Sequence, residues 1–193
     1  TSVDSIAELD RLIKYLPKVY TINDLPVITK KVTRPPLLHN LSSLQQLANK
    51  RYNMSADESL KVAQGLYEKK LITYPRTDSK YISEDIIKII PKLLAQNISF
   101  LPYASQYQYN IDHDYKVLNP NAVNNNKVTD HHAILTTEIL PTNLSEVESN
   151  IYSLIVERMF EAFHLNHEYT HYAYEMIINN HSFKGTYNQI TVP

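Results

Sequence analysis

Apolar residues recur along the chain with two different spacings, and each spacing predicts one kind of element. Between residues 4 and 16, leucine and isoleucine return every three or four positions, which indicates a short amphipathic helix. Residues 25–36 are rich in β-branched side chains and stop at two prolines, which is typical of a strand. Residues 169–192 alternate between apolar and polar, and Asn179-Asn180 in the middle predicts a hairpin of two strands.

Helix signals fill the region between these strands. A serine followed three residues later by glutamate or glutamine marks a helix start, because the two residues cap each other's backbone N–H groups. The candidate pairs are Ser42 with Gln45, Ser43 with Gln46, Ser55 with Glu58, and Ser145 with Glu148. They predict helices ending near residues 51 and 69, joined by a helix-turn-helix corner at 52–55. They also predict a later helix that carries Val147, Ile151, Leu154, Ile155 and Met159 on one face.

The rest of this region is less regular. A short strand is predicted at Leu71–Tyr74, and a helix from Ser83 to about residue 95. The tyrosine- and asparagine-rich residues 97–130 are predicted to be mostly irregular. A helical block between terminal strands predicts an α+β fold.

Composition narrows the class of protein. The 193 residues are 43% hydrophobic, and no apolar run approaches the roughly 20 residues of a membrane span. The N-terminal stretch has no signal-peptide pattern, and the absence of cysteine excludes disulfides and thiolate metal sites. We therefore expect a cytoplasmic protein without a membrane partner.

Charge is unevenly distributed on a chain whose net charge is −1. Residues 25–56 hold five basic and no acidic residues, whereas residues 138–178 hold seven glutamates and one arginine. Such segregation allows a local phosphate-binding surface on a nearly neutral protein. A solvated basic face with no ligand accounts for it equally well.

The stretch "LITYPRTDSKYIS" contains the strongest candidate chemistry. Pro75 favours an extended backbone at Tyr74, and in an extended segment Tyr74 and Arg76 share a face. A tyrosine hydroxyl, with a pKa of about 10, is a poor nucleophile unless a cation stabilises the developing charge. A guanidinium provides that cation and binds phosphate oxygens. Alternatively, Tyr74 packs on the preceding helix and Pro75–Ser79 form a capped turn.

Two further polar groups surround this stretch in sequence. Gln64 and Glu68 lie four residues apart and therefore share one helix face. In "TDHHAILTT", Asp130, His131 and His132 precede an apolar run. An imidazole near neutral pH can act as an acid, a base or a phosphate donor, although adjacent histidines are also common as a surface pair.

These motifs resemble the tyrosine-bearing region of type IA DNA topoisomerases. The resemblance rests on "LSSLQQLANKRYNMSADESLKVAQGLYEKKLITYPRTDSKYIS" and "DHHAILTT", and it covers residues 35–138. It extends more loosely to "FKGTY" near the C-terminal end. The proline after the tyrosine and the doubled histidine are similar to the bacterial topoisomerase III branch.

The resemblance implies a role for each matching residue. Tyr74 corresponds to the nucleophile that forms a 5′-phosphotyrosyl link to single-stranded DNA, and Arg76 to the arginine on the scissile phosphate. His131 corresponds to the active-site histidine, with His132 as its branch-specific neighbour. The residues expected to contact DNA along the nucleotide path are Gln64, Glu68, Thr73, Thr77, Asp78 and His132. Because the link conserves phosphodiester energy, no ATP is needed.

The resemblance also implies that the chain is a fragment. The family's Mg²⁺ binds an acidic cluster in a Toprim domain, which is expected outside this chain. Asp112 and Asp114 lie downstream of the tyrosine in an irregular stretch, so no metal ligand is assigned here. We expect a mainly helical, CAP-like (winged-helix-like) tyrosine domain at 39–165. It would be inserted between gate-domain segments at 1–38 and 166–193, and its partners would be single-stranded DNA and the missing Toprim and gate domains.

Three other functions use parts of the same chemistry. A tyrosine recombinase requires a His-x-x-Arg before its tyrosine, and a "DHH" phosphoesterase requires an upstream Asp-x-Asp and histidine, neither of which is present. A non-catalytic helix-turn-helix DNA-binding module, with Ala56–Lys69 as recognition helix, remains the alternative. Acidic residues on that helix match a duplex groove poorly.

Overall fold

The fold is described from a computed structural model that places residues 25–101, 103–178 and 181–192, together with Arg11 and Lys14. The chain divides into two compact units. The helical unit runs continuously from Arg34 to Asn166. The sheet unit takes the chain on either side of it, so the helical unit is inserted within the sheet unit in sequence.

Three antiparallel strands in the order β1-β2-β3 form the sheet unit. They are β1 (Val27–Thr33), β2 (His167–Ile178) and β3 (His181–Val192), which confirms the predicted strand and hairpin. Asn179-Asn180, where the turn was predicted, lies outside the described residues. Gly185 lies opposite Tyr174 in the register, and a Cβ at Gly185 would clash with that ring. Every residue of β1 is exposed.

Five α-helices form the described helical unit. They are α1 (Leu41–Tyr52), α2 (Ala56–Glu68), α3 (Ile90–Asn97), α4 (Gln108–Asp112) and α5 (Glu146–Phe163). Helix α5 is central, because α1, α2 and α3 all contact it. Its buried side chains include Ile151, Leu154, Ile155, Met159, Phe160 and Phe163. Each such side chain stabilises the fold by about 1.5–3 kcal/mol relative to an exposed position.

The helix starts test the capping predictions. Ser55 with Glu58 and Ser145 with Glu148 form the predicted capping boxes of α2 and α5. For α1 the prediction is wrong, because Asn40 is the N-cap and its Oδ1 accepts from Ser43 N–H at 2.9 Å. Asparagine is a strong N-cap residue, and Ser43 completes the box at the third helical position.

Two other helix predictions need correction. The helix predicted from Ser83 begins later, as a 3₁₀ turn at Ile86–Ile89 that leads into α3. Pro91 explains the later start, because proline lacks an N–H and is tolerated only in the first turn of an α-helix. Val147 was predicted to share a face with Ile151, Leu154, Ile155 and Met159, but it is 45% exposed whereas those four residues are buried. The described part of residues 98–127 consists of short 3₁₀ turns, α4 and irregular segments, in line with the mostly irregular structure predicted for 97–130.

The mixed helix and strand class is confirmed, whereas the CAP-like description remains a prediction. The unit borders lie after Thr33 and Asn166, beside the predicted domain borders near 38 and 166. The helix predicted at 4–16 lies outside the described residues, except for Arg11 and Lys14. Among the described helices, none combines the length and apolar composition that crossing a membrane requires.

Candidate active site

The segment before the tyrosine does not form a strand. The predicted strand Leu71–Tyr74 is therefore wrong, and a single antiparallel bridge joins Ile72 to Thr136. Pro75 follows directly and has no N–H to donate, so a ladder cannot continue past Tyr74. Leu71 and Ile72 are buried in the core, and their apolar character reflects this burial rather than membership of a sheet.

Thr73 fixes the backbone next to the tyrosine. Its N–H donates to the Leu135 carbonyl at 2.9 Å. Its hydroxyl donates to the Ala133 carbonyl at 3.2 Å and accepts from Leu135 N–H at 2.9 Å. The side chain thus takes a hydrogen bond that a backbone carbonyl would take in a regular strand. This residue anchors the tyrosine segment to residues 133–135.

Thr77 and Asp78 hold the other end of the segment. Thr77 is 4% exposed, and its hydroxyl donates to the His131 carbonyl at 3.2 Å and accepts from Ser79 N–H at 3.1 Å. The carbonyl of Asp78 accepts from Asn40 Nδ2 at 3.1 Å, while the residue itself is exposed. The predicted DNA-contacting residues therefore divide into a buried anchor, Thr77, and an exposed carboxylate, Asp78.

Tyr74 contacts two other rings. The Tyr67 ring of α2 meets it edge-on, with centroids 5.4 Å apart and planes at 74°. The His131 ring also contacts Tyr74, with centroids 4.5 Å apart and planes at 46°. Tyr74 is half-buried, so its ring is held by packing while part of it remains open to solvent. The structure thus brings Tyr74 and His131, which are far apart in sequence, into contact.

Arg76 is exposed and contacts the same helix. Its Nη2 donates to Gln64 Oε1 at 3.1 Å, one helical turn from the Tyr67 contact. Arg76, Gln64 and Glu68 line one side of a groove of about 470 Å³ along α2. Tyr74 and Arg76 therefore both lie against α2, and the predicted pair Gln64 and Glu68 shares the groove with Arg76.

The two histidines have different surroundings. His131 is exposed and its ring contacts Tyr74. His132 is half-buried, and its Nδ1–H donates to the Ala133 carbonyl at 2.7 Å. That bond directs one ring nitrogen of His132 to the protein's own backbone. His131 is the histidine that lies beside the tyrosine.

A third histidine lies beneath the site. His39 is 1% exposed, its Nδ1 is 3.0 Å from Ser43 Oγ, and its carbonyl accepts from Ile134 N–H at 2.8 Å. Burial, assisted by the positive charge of Arg158, lowers the pKa of His39 to about 3. His39 is therefore a neutral imidazole whose backbone is hydrogen-bonded to Ile134, two residues after His132.

Sequence reasoning missed several contributors to this site. Tyr67 could have been found, because it lies three residues after Gln64 on the same helix face. His39 and Asn40 carried no such signal, because their contacts to Ile134 and Asp78 join residues far apart in sequence. Gly65 and Lys61, which also line the groove along α2, were missed as well.

Within the described ranges, no group of three or more His, Asp or Glu side chains could hold a metal ion. Asp112 and Asp114 are engaged otherwise: Asp112 accepts from Gln108 Nε2 at 2.7 Å, and Asp114 pairs with Lys116 at 3.2 Å. The chemistry assembled at the site is thus a phenol, a guanidinium and an imidazole, together with an amide and a carboxylate.

Comparison with known proteins identifies the family. The family profile described as DNA topoisomerase matches residues 1–193. The chain is 40% identical over 159 residues to DNA topoisomerase 3 of Staphylococcus saprophyticus and 38% identical over 161 residues to that of Staphylococcus haemolyticus. These matches cover 80% and 81% of this chain, which spans 22% of the length of each relative.

The fold comparison agrees. The structure resembles full-length topoisomerase I from Thermotoga maritima with a TM-score of 0.63 and 22% sequence identity. The match covers 98% of this chain and 31% of that protein. The chain belongs to the type IA DNA topoisomerase family, in its topoisomerase III branch.

Proposed function

We propose that the chain is the tyrosine-bearing part of an enzyme that changes DNA topology without ATP. The enzyme cleaves one strand through a transient 5′-phosphotyrosyl link, passes a strand through the break and religates. The observation that carries this proposal is the placement of Tyr74 against His131, with Arg76 on the same side of α2. Family membership supports it, although the chain spans 22% of its relatives' length.

In the proposed reaction, the Tyr74 hydroxyl oxygen attacks the scissile phosphorus. A tyrosyl P–O bond forms, the P–O3′ bond breaks, and the phenolic proton is lost as the 3′ oxygen leaves and is protonated. Arg76 stabilises the negative charge on the phosphate oxygens, and His131 donates to the same phosphate. Because one phosphodiester replaces another, attack by the 3′ hydroxyl restores the DNA strand and the free tyrosine.

The acidic residues of helix α2 favour a single-stranded substrate over the duplex that a helix-turn-helix module would bind. Helix α2 carries Asp57 and Glu58 in its first turn and Glu68 at its end. Such a helix is repelled by the two phosphate backbones that flank a duplex groove. Preferential binding of duplex over single strands by the chain would instead favour the alternative.

We further propose that the Mg²⁺ used by the intact enzyme binds carboxylates outside this chain. When bound, the metal would help neutralise charge on the phosphate and the leaving oxygen. The described residues contribute cations and a nucleophile, but no set of carboxylates suited to Mg²⁺. We expect no relaxation of supercoiled plasmid by the isolated chain, so Mg²⁺-dependent relaxation in a plasmid gel would contradict this assignment.

The test of the proposed function is to trap the covalent adduct. The parent enzyme is incubated with an end-labelled single strand and denatured, and the labelled peptide is sequenced by mass spectrometry. We expect the nucleotide on Tyr74. Tyr74→Phe should abolish the adduct while leaving strand binding nearly unchanged, because only the hydroxyl oxygen is lost. An adduct on another residue, or one that persists in the Phe variant, would contradict the proposal.

A further inference from the structure

The helical unit contains a cavity of about 300 Å³ that shares no lining residue with the groove along α2. It is lined by the last turn of α1, by the C-terminal half of α5 and by residues 101–107. Arg51 in its wall lies ten residues after Leu41, whose N–H donates to the Thr77 carbonyl. At the rise of an α-helix, the cavity is therefore about 15 Å along α1 from the tyrosine segment.

Three tyrosines supply the aromatic lining of this cavity. They are Tyr52, Tyr103 and Tyr107. Tyr107 packs against Phe160 of α5, with centroids 4.9 Å apart, whereas Tyr52 is 37% and Tyr103 67% exposed. The face of an aromatic ring carries the negative part of its quadrupole and attracts cations. Three such rings around one cavity favour a positively charged ligand.

The charged lining residues also favour a cation. Glu157 and Glu161 line the cavity together with Arg51, so two carboxylates stand against one guanidinium. Arg51 Nη1 donates to Glu157 Oε2, which engages that pair. Arg158 Nε lies 2.9 Å from Glu161 Oε2 but makes no hydrogen bond to any described residue. The Glu161 side chain is 38% exposed, so its oxygens can accept hydrogen bonds from a ligand.

The negative charge extends across the cavity to Tyr107. Burial, assisted by the carboxylates of Glu161 and Glu157, raises the pKa of the Tyr107 hydroxyl to about 12. The charge of Arg51 acts in the opposite direction and is the weakest of these causes. Such a field repels a phosphate, so the cavity is chemically unlike the candidate active site.

A second cavity, of about 250 Å³, shares Tyr52 with the first. Its lining includes Met54, Val62 and Val147, and Val147 is exposed at the start of α5. A small free cation has no group that would fill an apolar cavity. A protein segment carries charged and apolar side chains close together. The two neighbouring cavities therefore favour a protein segment over a free cation.

We propose that the first cavity binds an arginine side chain of a partner protein, and that the second cavity takes a neighbouring apolar side chain of the same segment. A guanidinium fits better than an ammonium, because its plane stacks on tyrosine rings while its fork of N–H donors binds the Glu161 carboxylate. No residue predicted for the active site lines either cavity, so this proposal does not rest on the proposed reaction.

The experiment titrates the isotope-labelled 193-residue chain with the peptide acetyl-Gly-Arg-Gly-Leu-amide and follows the amide resonances by NMR. The resonances of residues 51–52, 103–107 and 157–161 should shift. The same peptide with citrulline in place of arginine keeps the shape without the charge, and it should bind about tenfold more weakly. Agmatine, a free guanidinium, should also bind more weakly than the peptide, because it has no leucine for the second cavity.

Two exposed substitutions test the lining of the first cavity. Glu161→Gln removes the charge and should lower the affinity for the peptide about tenfold. Glu138→Gln is its matched control, since Glu138 pairs with Lys92 outside the cavity, and it should bind like the wild type. Tyr103→Ala should lower the affinity about two- to fivefold, as expected for one cation–π contact. Tyr187→Ala, which removes an exposed tyrosine of the sheet unit, should not.

Arg51→Gln gives the opposite sign. It removes the cation that the cavity already contains and frees Glu157, so the affinity for the peptide should rise about two- to fivefold. Circular dichroism confirms that each variant is folded. Lower affinity in folded Arg51→Gln, or equal losses in Glu161→Gln and Glu138→Gln, would overturn the proposal. Equal binding of the citrulline peptide would overturn it as well, and agmatine binding as tightly as the peptide would exclude a protein segment as the ligand.

Discussion

The two sides of Tyr74 are built differently. On the helix side, defined here as Gln64, Tyr67 and Arg76, contacts join exposed or half-buried side chains to each other. On the histidine side, defined as residues 131–137 with Thr73 and Thr77, contacts run through backbone carbonyls and threonine hydroxyls. The helix side is therefore a surface of the protein, whereas most of the histidine side is buried in the interior.

This difference separates two kinds of site residue that a sequence motif lists together. An exposed side-chain hydrogen bond contributes little to stability, whereas leaving a buried donor or acceptor unpaired costs about 1–3 kcal/mol. Substitutions on the helix side should therefore change chemistry and leave the fold intact. Substitutions in the histidine-side framework should change stability first, and His131 is the exception, because its backbone is anchored while its ring is exposed.

Among the substitutions that compare the two sides, Arg76→Ala should reduce activity most. Removing one electrostatic donor to the phosphate lowers a rate by roughly 10²–10³-fold, so strand cleavage by the parent enzyme should fall by that factor. Arg76→Lys should recover only part of the loss, because an ammonium lacks the planar fork. Since Arg76 is exposed, Tm should stay within the range of a neutral surface substitution. Wild-type cleavage by the Ala variant would make Arg76 a turn residue.

His131 and His132 should differ in how much each contributes to relaxation activity. His131→Ala should slow relaxation by the parent enzyme at neutral pH by tenfold or more, because a hydrogen bond to a charged group contributes about 1.5–3 kcal/mol. His132→Ala should slow it less, since Nδ1 of His132 already donates to the Ala133 carbonyl. Plasmid relaxation assays of both variants provide the measurement. The reverse ranking would place the reactive imidazole at His132.

The sequence predicted the surface side better than the interior side. The spacing of Gln64 and Glu68 predicts that they share a helix face, and both line one groove with Arg76. The hydrogen bond from Arg76 to Gln64 was not predicted. Thr73 and Thr77 were expected on the nucleotide path, and the structure places their hydroxyls on the carbonyls of Ala133 and His131. Their role in contacting DNA remains a prediction.

The errors in the fold have a common origin. Leu71 and Ile72 carry a strand-like pattern, but a threonine hydroxyl and a proline end the pairing after one bridge. The cap of α1 was assigned to serines, although Asn40 fits better because its Nδ2 also donates to the Asp78 carbonyl. In each case a tertiary contact between residues far apart in sequence decided between local alternatives that propensity could not separate.

Thr77→Val tests the interior side of the comparison. Valine keeps the shape of threonine but leaves Ser79 N–H and the His131 carbonyl without the hydroxyl that now binds both. We expect a loss of about 1–3 kcal/mol in the free energy of unfolding, measured by urea denaturation of the chain. Thr77→Ser, which keeps the hydroxyl, is the matched control and should lose less. Equal stability of the wild type and the Val variant would remove the distinction between the two sides.

Substitution of His39 should change the free energy of unfolding least at neutral pH. His39 supports the histidine side because its carbonyl accepts a hydrogen bond from Ile134 N–H. Burial lowers the pKa of His39 to about 3 in the folded protein, against 6.5 for an unperturbed imidazole. Between these values the unfolded chain binds a proton at this residue and the folded chain does not. Stability is therefore complete above about pH 6.5 and falls as the pH drops toward 3, with a limiting slope of about 1.4 kcal/mol per pH unit.

His39→Gln should flatten this acid dependence, because glutamine has no proton to gain in that range. Urea denaturation at pH 7.5 and pH 5 measures it, with the wild type losing more stability than the variant between the two values. Equal losses in the wild type and His39→Gln would show that His39 takes up its proton without unfolding. The histidine side would then be more open to water than its hydrogen bonds indicate.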